Sequence, residues 1–404
     1  MTNIPLSLYI HIPWCLQKCP YCDFNSHGIG RSAAIDEAAY VAHLLADLDA
    51  DLNEALRPDE ALPPREAPDA AAGPQQPLPP RPLQSIFIGG GTPSLFSARS
   101  IGALLEGIAA RLELVPDVEI TLEANPSTFE QRKFRDYRAA GVNRLSIGIQ
   151  SFNDEHLRAL GRVHDRDEAL RAIQMATAAG FERINLDLMF GLPRQSEAEA
   201  LRDLATAAAF GLEHLSWYQL TLEPNTAFYR QPPPLPDSDA VQDMFEAGRA
   251  YLQSQGFDQY EVSAWTRQRP SAHNLNYWQY GDYLGIGAGA HGKLTRGGQI
   301  WRYHKFPSPA QYQRAAGRQP NPYTAREQWI PREEQAFEFM MNGLRLREGV
   351  PRRWLAERTL LTPADIAPTW ERLTARGLLM ADPERFRTSE RGFSYLNEVI
   401  EHFL

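Results

Sequence analysis

The sequence predicts an α/β fold, in which a partial (β/α)6 barrel is followed by a mainly helical, winged-helix-like C-terminal domain. From residue 6 to about residue 220, short apolar runs alternate with longer amphipathic stretches, as in repeated βα units around a parallel sheet. After Pro331 the pattern changes to amphipathic helices. With 404 residues, 43% hydrophobic and 23% charged, the chain is long enough for one large domain and a smaller one.

The apolar runs define the expected barrel elements. Six strands are expected at Leu6–His11, Ser85–Ile88, Val118–Glu123, Arg144–Gln150, Arg183–Met189 and His214–Leu220. Five helices are expected between them at Ala38–Leu56, Ser100–Leu112, Phe129–Ala140, Asp167–Ala179 and Glu197–Phe210. Several of these helical stretches end at a glycine, such as Gly141, Gly180 or Gly211, which is typical of helix C-termini. Six strands with intervening helices indicate an open or complete barrel.

Changes in composition divide the chain into three parts: the barrel at 1–230, an extension at 231–325 and the helical domain at 326–404. Residues 58–82 are rich in proline, alanine and polar residues, so we expect a disordered insertion between the first helix and the second strand. Winged-helix-like modules often bind DNA, but this one mixes acidic and basic residues. Structural support or protein docking is therefore the favoured role of the C-terminal domain.

The charge pattern argues against nucleic acid as a partner. The net charge is −9, and lysine and arginine are scattered along the chain. The chain begins Met-Thr-Asn-Ile-Pro without a basic flank or a long apolar stretch, and no run approaches the 18 apolar residues of a membrane span. We therefore expect a cytoplasmic protein. Peripheral membrane contact and a homodimer stay open as alternatives.

The three cysteines of the chain form one motif, C-x3-C-x2-C, made of Cys15, Cys19 and Cys22 in the loop after the first expected strand. Three thiolates at this spacing can ligate three irons of a [4Fe–4S] cluster, which leaves the fourth iron open to an exogenous ligand. A zinc site completed by His11 or His27 is the alternative. The position of His11 within a strand disfavours zinc.

Further polar and glycine-rich motifs follow the expected strands. The segment Gly89-Gly90-Gly91-Thr92-Pro93-Ser94 comes directly after the second strand, and glycines let backbone groups approach a ligand closely. Glu123, Gln150 and Asp187 stand at the ends of three later strands, where side chains of a parallel barrel face a ligand pocket. Each motif alone is more typical of a tight turn or a loop cap, but their combination indicates a binding site.

Taken together, these motifs resemble the radical S-adenosylmethionine superfamily and, over roughly residues 6 to 300, its coproporphyrinogen III dehydrogenase family. The resemblance implies a radical SAM barrel in which S-adenosylmethionine binds the open iron of the cluster. It also implies an external electron donor that reduces the cluster. Arg162 would pair with the ligand carboxylate, and Tyr21 would contact the adenine. The implied S-adenosylmethionine contacts are Tyr9, Tyr21, Gly90, Gly91, Thr92, Glu123, Gln150, Arg162 and Asp187.

Two differences separate the chain from the oxygen-independent oxidase of that family. Phe24 stands where the oxidase carries a further cysteine, and the segment before Cys15 is shorter than the oxidase's N-terminal arm. In both respects the chain resembles the heme-chaperone branch of the family. The segment His273-Asn-Leu-Asn-Tyr277-Trp278 also resembles the H-N-x-x-Y-W signature of that branch. The resemblance implies that these residues handle heme. Turn capping and core packing are the alternative roles for them.

The expected function is therefore a heme chaperone that binds a [4Fe–4S] cluster, S-adenosylmethionine and heme, and transfers heme to apo-hemoproteins. The alternative is a radical enzyme that acts on a tetrapyrrole, either by decarboxylating coproporphyrinogen III or by transferring a methyl group. The absence of the oxidase's additional cysteine at Phe24 favours the chaperone.

Overall fold

The computed structural model describes residues 4–30, 34–55, 81–127, 132–314 and 321–404. The strands are β1 (Leu6–Ile12), β2 (Trp14–Cys15), β3 (His27–Gly28), β4 (Leu83–Gly90), β5 (Leu114–Ala124), β6 (Arg144–Gln150), β7 (Arg183–Phe190), β8 (His214–Gln219), β9 (Asp258–Glu261), β10 (Ala264–Thr266), β11 (Asp282–Ile286), β12 (His291–Arg296), β13 (Gln299–Lys305), β14 (Thr324–Trp329), β15 (Val350–Pro351) and β16 (Arg385–Phe386).

The α-helices are α1 (Glu37–Ala55), α2 (Ala98–Ala109), α3 (Phe134–Ala139), α4 (Asp154–Ala159), α5 (Arg166–Ala178), α6 (Glu197–Ala208), α7 (Ala227–Arg230), α8 (Ser238–Ser254), α9 (Ala272–Trp278), α10 (Pro309–Gln313), α11 (Gln335–Gly343), α12 (Arg353–Arg358), α13 (Pro363–Ala375), α14 (Glu390–Ser394) and α15 (Leu396–Glu401). None of these helices combines the length and the apolar character that crossing a bilayer requires.

The barrel consists of β1 and β4 to β8, which pair in parallel in sequence order, so the predicted α/β fold is confirmed. All six predicted strands are present, and β6 has the predicted ends. Their carboxyl ends meet at one edge, because successive parallel strands are joined by helical crossovers. Side chains that follow these strands are therefore brought together at that edge.

The sheet continues beyond the six barrel strands on both sides. β11 pairs in parallel with β1, and β12, β13 and β14 follow it in antiparallel order. On the other side, β10 and β9 pair in antiparallel order beyond β8. The described sheet thus runs in one line from β14 to β9 without closing on itself, which agrees with the predicted partial barrel.

The predicted helices are present with shifted ends. The predicted helix at Phe129–Ala140 is represented by the shorter α3, and residues 129–131 of the prediction lie outside the described ranges. Most of the predicted insertion, 58–80, also lies outside them. Arg81, at the end of that predicted segment, has a defined position, because its Nη1 donates to Asp282 Oδ2 at 2.8 Å.

The described residues form two large apolar cores and a small third one. The larger core lies between the barrel strands and the helices that cover them. The second core joins the C-terminal helices to residues of the extension such as Tyr280 and Ile300. A bridge between Glu261 and Leu346 and a 3.0 Å hydrogen bond from the Arg347 amide to the Tyr260 carbonyl connect the C-terminal region to β9. The segment around residue 346 is therefore fixed against the edge of the sheet.

Candidate functional site

A cavity of about 490 Å³ lies at the carboxyl ends of the barrel strands. It collects most of the site residues that the sequence predicts, namely Cys15, Cys19, Tyr21, Cys22, Gly90, Gly91, Thr92, Glu123, Gln150, Arg162, Asp187 and Trp278. Tyr9, His273 and Tyr277 are outside its lining. The parallel topology explains the convergence, since residues from different strand ends meet at one edge of the sheet.

The cysteine loop is held at the cavity by a small parallel ladder. β2 pairs with β3, so that Trp14 lies beside His27 and Cys15 beside Gly28. Cys15 is buried and the other two thiols are partly buried. Burial is the main cause that raises the pKa of the Cys15 and Cys22 thiols. Thiolate formation here therefore depends on a positive charge, which bound iron supplies.

The donor set fits an iron–sulfur cluster better than the zinc alternative. The three thiols face one cavity, but the described residues contain no group of three His, Cys, Asp or Glu side chains arranged around a single ion. His11 is engaged at both ring nitrogens: Nε2 donates to the Asn25 carbonyl at 2.8 Å, and Nδ1 accepts from the Tyr9 hydroxyl at 2.9 Å. His11 therefore has no nitrogen free for a metal ion.

The glycine loop after β4 packs directly on the cysteine loop. The Gly91 amide donates to the Ile12 carbonyl and the Thr92 amide to the Trp14 carbonyl, both at 2.7 Å. A Cβ atom on Gly91 would lie 2.6 Å from the Trp14 carbonyl oxygen, and Gly90 has a φ of +109°. Only glycine suits this close approach of two backbones.

Two half-buried carboxyl groups face the cavity from β5 and β7. Glu123 Oε2 accepts a 3.1 Å hydrogen bond from the Gly90 amide. Burial, followed by the nearby Asp187 charge, raises the pKa of Glu123 to about 8. Burial also raises the pKa of Asp187, whose oxygens accept hydrogen bonds from Ser146 and Asn185. These carboxyls can accept hydrogen bonds from an ammonium group or from hydroxyls.

Arg162 brings a half-buried positive charge to the same cavity. Its Nη2 donates to Asn125 Oδ1 at 2.6 Å and to the Gly148 carbonyl at 2.9 Å, while Nη1 lies 3.6 Å from Cys19 Sγ. Nε has no hydrogen-bond partner, and within the described ranges no carboxylate pairs with this guanidinium. An anionic group that enters the cavity would supply the missing partner.

Gln150 is placed at the cavity by an irregularity at the end of β6. Its φ is +66°, in the left-handed region, and the pairing with β7 shifts register between Gly148 and Gln150. Such strain in a non-glycine residue is typical of ligand sites. The Tyr218 hydroxyl donates to Gln150 Oε1 at 2.9 Å. Tyr218 was not among the predicted site residues, although it lies near the end of β8, a predicted strand.

Helix α9 carries the predicted heme residues, but only one of them lines the cavity. Trp278 lines the cavity, whereas His273 is 2% exposed and its ring stacks on Phe87 with centroids 4.6 Å apart. Tyr277 packs edge-on against the His273 ring, with centroids 4.5 Å apart. Burial lowers the pKa of His273 to about 3, so its ring is neutral. Its Nε2 has no hydrogen-bond partner.

Tyr9 lies behind the cavity wall. Its ring is next to Phe87 and His273, with centroids 6.3 Å from each, and its hydroxyl donates to His11. His11 in turn supports the glycine loop, because a Cβ on Gly90 would lie 2.6 Å from the His11 ring. In this conformation Tyr9 therefore supports the loops indirectly, and its predicted contact with S-adenosylmethionine stays a prediction.

The domain comparisons agree with this fold. Residues 9–207 match the radical SAM superfamily, and residues 330–395 match the HemN C-terminal domain. The fold is shared with the solved structure of coproporphyrinogen III oxidase (HemN) from Escherichia coli, a radical SAM enzyme, with a TM-score of 0.78 and 22% identity over 100% of this chain and 91% of that chain. Fold and site thus define a radical SAM protein with a HemN-type C-terminal domain.

Sequence relatives narrow the class to one family. The chain is 46% identical over 402 residues to heme chaperone HemW of Haemophilus influenzae and also to that of Escherichia coli, covering 99% of this chain and 98% of each relative. It is 34% identical to the mouse mitochondrial radical S-adenosyl methionine domain-containing protein 1, over 98% of this chain and 86% of that protein. The chain belongs to the heme chaperone HemW family.

Proposed function

We propose that the chain is a heme chaperone, which binds a [4Fe–4S] cluster, S-adenosylmethionine and heme and transfers the heme to apo-hemoproteins. One observation carries the proposal: a single cavity collects three thiols, two half-buried carboxyls and a half-buried guanidinium, in a chain 46% identical to proteins named as heme chaperones. Thiolates suit iron–sulfur ligation, and the charged groups suit an amino acid head group.

Cys15, Cys19 and Cys22 would hold three irons of the cluster, which supplies an open coordination site and a reducing electron when bound. Arg162 would pair with the carboxylate of S-adenosylmethionine because its contacts with the described residues leave its charge without a carboxylate partner. The glycine loop and Glu123 would receive the amino group. A hydrogen-bond donor or a positive charge next to Glu123 would favour its ionised form and lower the pKa that burial has raised.

The heme part of the proposal rests on α9. The Trp278 indole at the cavity wall offers a flat apolar surface to a porphyrin, and Tyr277 supports the His273 ring behind it. Neutral imidazole is the form that ligates heme iron, and His273 is neutral with one nitrogen free. To reach a heme iron, the His273 ring has to leave its stack on Phe87.

The proposal is tested by reconstituting the cluster anaerobically and supplying hemin or coproporphyrinogen III in separate reactions with S-adenosylmethionine and a reductant. A heme chaperone binds hemin stoichiometrically, transfers it to an apo-hemoprotein and forms no protoporphyrinogen. Turnover of coproporphyrinogen III would instead identify a decarboxylase and contradict the proposal.

Two variants separate the cluster from the heme site. Cys19→Ala is expected to lose the cluster absorbance, because each thiolate binds one iron. His273→Ala is expected to keep that absorbance and to bind or transfer heme less well. Full cluster absorbance in Cys19→Ala would reject the ligand assignment, and unchanged heme binding and transfer in His273→Ala would reject a role for this histidine.

A further inference from the structure

Part of the cavity wall is not used by the cluster or by the proposed S-adenosylmethionine contacts. It contains Glu261, Ser263, Asn274, Trp278 and Arg345. These residues come from β9, the turn after it, α9 and the C-terminal region, rather than from the six barrel strands. The cavity therefore has a second group of side chains for which the proposed binding of the cluster and S-adenosylmethionine gives no role.

Arg345 is the cation of this group, and the fold holds it in place. The neighbouring residue Leu346 bridges to Glu261, and the Arg347 amide donates to the Tyr260 carbonyl at 3.0 Å. The Arg345 guanidinium lies over the Trp278 ring, with Cζ 4.3 Å from the ring centroid. Stacking on an indole orients the plane of a guanidinium and leaves its edge available for an anion.

The ion pair of Arg345 is incomplete. Its Nη2 lies 3.6 Å from Glu261 Oε2, which is longer than a charge-assisted hydrogen bond, and its Nε has no hydrogen-bond partner. Glu261 is buried, and burial raises the pKa of this carboxyl despite the nearby arginine. The Arg345 side chain is still 30% exposed. It can therefore receive a carboxylate that arrives from the cavity.

The cavity contains two arginines with different surroundings. S-adenosylmethionine has one carboxylate, for which Arg162 beside the cysteine loop is the proposed partner. A second arginine stacked on an indole suits a ligand that is both flat and anionic, and heme combines a planar apolar ring with two propionates. We propose that Arg345 and Trp278 form the propionate-binding part of the heme site, with the guanidinium on a propionate and the indole against the porphyrin; this inference rests on the proposed function.

The carboxylate dependence is tested with two probes, hemin and hemin dimethyl ester, on the full chain with its reconstituted cluster. The wild-type protein is expected to bind hemin about 10- to 100-fold more tightly than the ester, as for one charge-assisted hydrogen-bonded pair. Arg345→Gln is expected to remove that preference by weakening hemin binding alone. Arg345→Lys is expected to retain part of it, because the charge remains while the fork geometry is lost.

Arg347 provides a matched control two residues away. Its guanidinium also lies over an aromatic ring, 4.4 Å from the Phe393 centroid, and pairs with Glu390, but it is outside the cavity lining. Arg347→Gln should keep the wild-type preference. An unchanged preference in Arg345→Gln with intact cluster absorbance, or equal wild-type affinity for both probes, would overturn the inference and leave the chaperone proposal standing. If the wild-type protein binds neither probe, both proposals fail.

Discussion

Glu123 illustrates how one residue of the cavity is controlled by its surroundings. It lies at the end of β5 in a site where burial opposes its charge and Asp187 opposes it further. The single hydrogen bond from the Gly90 amide does not compensate, so the pKa of Glu123 rises to about 8. Without a cationic ligand, this carboxyl therefore keeps its proton at neutral pH.

Glu123→Gln tests this account through the pH dependence of stability. The unfolded chain releases the Glu123 proton near pH 4.5 and the folded chain near pH 8, so between these values the folded state binds more protons. Wild-type stability should fall relative to Glu123→Gln as pH rises through this window, by at most about 1.4 kcal/mol per pH unit. Urea unfolding of the ligand-free proteins from pH 5 to pH 8.5 measures the difference.

The control for this experiment is Glu106→Gln, which changes an exposed glutamate on α2. This variant should follow the wild-type pH profile. Parallel profiles of wild type and Glu123→Gln across the whole range would show that Glu123 titrates in the folded protein as it does in the unfolded chain.

At the scale of elements, helix α9 depends on an anchor at its N-terminus. Glu119 on β5 accepts hydrogen bonds from the Ser271 hydroxyl and from the Ala272 and His273 amides, each at 3.1 Å. Burial opposes this charge, but the nearby arginines Arg144 and Arg183 and the helix amides hold the pKa of Glu119 below its usual value. A helix of seven residues has little stability of its own, so this anchor determines where the signature residues lie.

Glu119→Gln should release the start of α9. The substitution keeps the side-chain size but removes a buried charge that Arg183 contacts at 2.6 Å, so we expect a loss of about 3 kcal/mol in unfolding free energy. The Ala272 and His273 amides should exchange hydrogen faster. Asp237→Asn, at the exposed cap of α8, should change neither amide, since asparagine caps a helix nearly as well. Unchanged exchange in Glu119→Gln would show that other contacts anchor α9.

The barrel strands were predictable because buried parallel strands leave regular apolar positions, as Leu145, Ile147 and Ile149 do in β6. The strand β11 was not among the strands predicted from the sequence. Its Gly285 is required by contact across the sheet, because a Cβ there would lie 1.8 Å from the His291 carbonyl oxygen. In the sequence, a glycine that is required by contact with a neighbouring strand cannot be distinguished from a glycine in a loop.

The cavity residues were predictable where a local motif or a strand end marks them, as for Cys15 and Asp187. Alternation along a strand shows which face of the sheet carries a side chain. It does not show whether that side chain reaches the cavity, so the sequence could not distinguish Tyr9, which lies behind the cavity wall, from residues that line the wall. Arg345 was missed for another reason. Its position follows from the bridge between Glu261 and Leu346, which joins segments far apart in the chain and has no local sequence signal.

At the scale of the whole molecule, a buried ionic cluster joins helix α1 to strand β13, which lies in the extension of the sheet beyond the barrel strands. Lys305 on β13 pairs with Asp47 and Asp51 on α1, and all three side chains are fully buried. Hydroxyl groups of Tyr312 and Tyr303 donate to Asp47 and Asp51, respectively. Most of the hydrogen-bonding capacity of both carboxylates is therefore used inside the protein.

The same cluster extends toward the cysteine loop. The Gly287 amide donates to Asp47 at 3.1 Å, and the carbonyl of the next residue, Ala288, accepts from Asn25 Nδ2 at 2.9 Å. Asn25 follows the last cysteine of the motif by three residues. Local unfolding around Asp47 would therefore also disturb the loop that carries the three cysteines.

Lys305→Met should test whether this cluster holds α1 against β13. Removing the lysine leaves Asp47 and Asp51 buried without their cation, and we expect a loss of about 3–5 kcal/mol in unfolding free energy by urea titration. Adding Asp47→Asn and Asp51→Asn to Lys305→Met should recover part of that loss, because the uncompensated charges are then gone. If the single variant were as stable as wild type, the carboxyls would have to be neutral in the folded protein, and the ionic account of this link would be wrong.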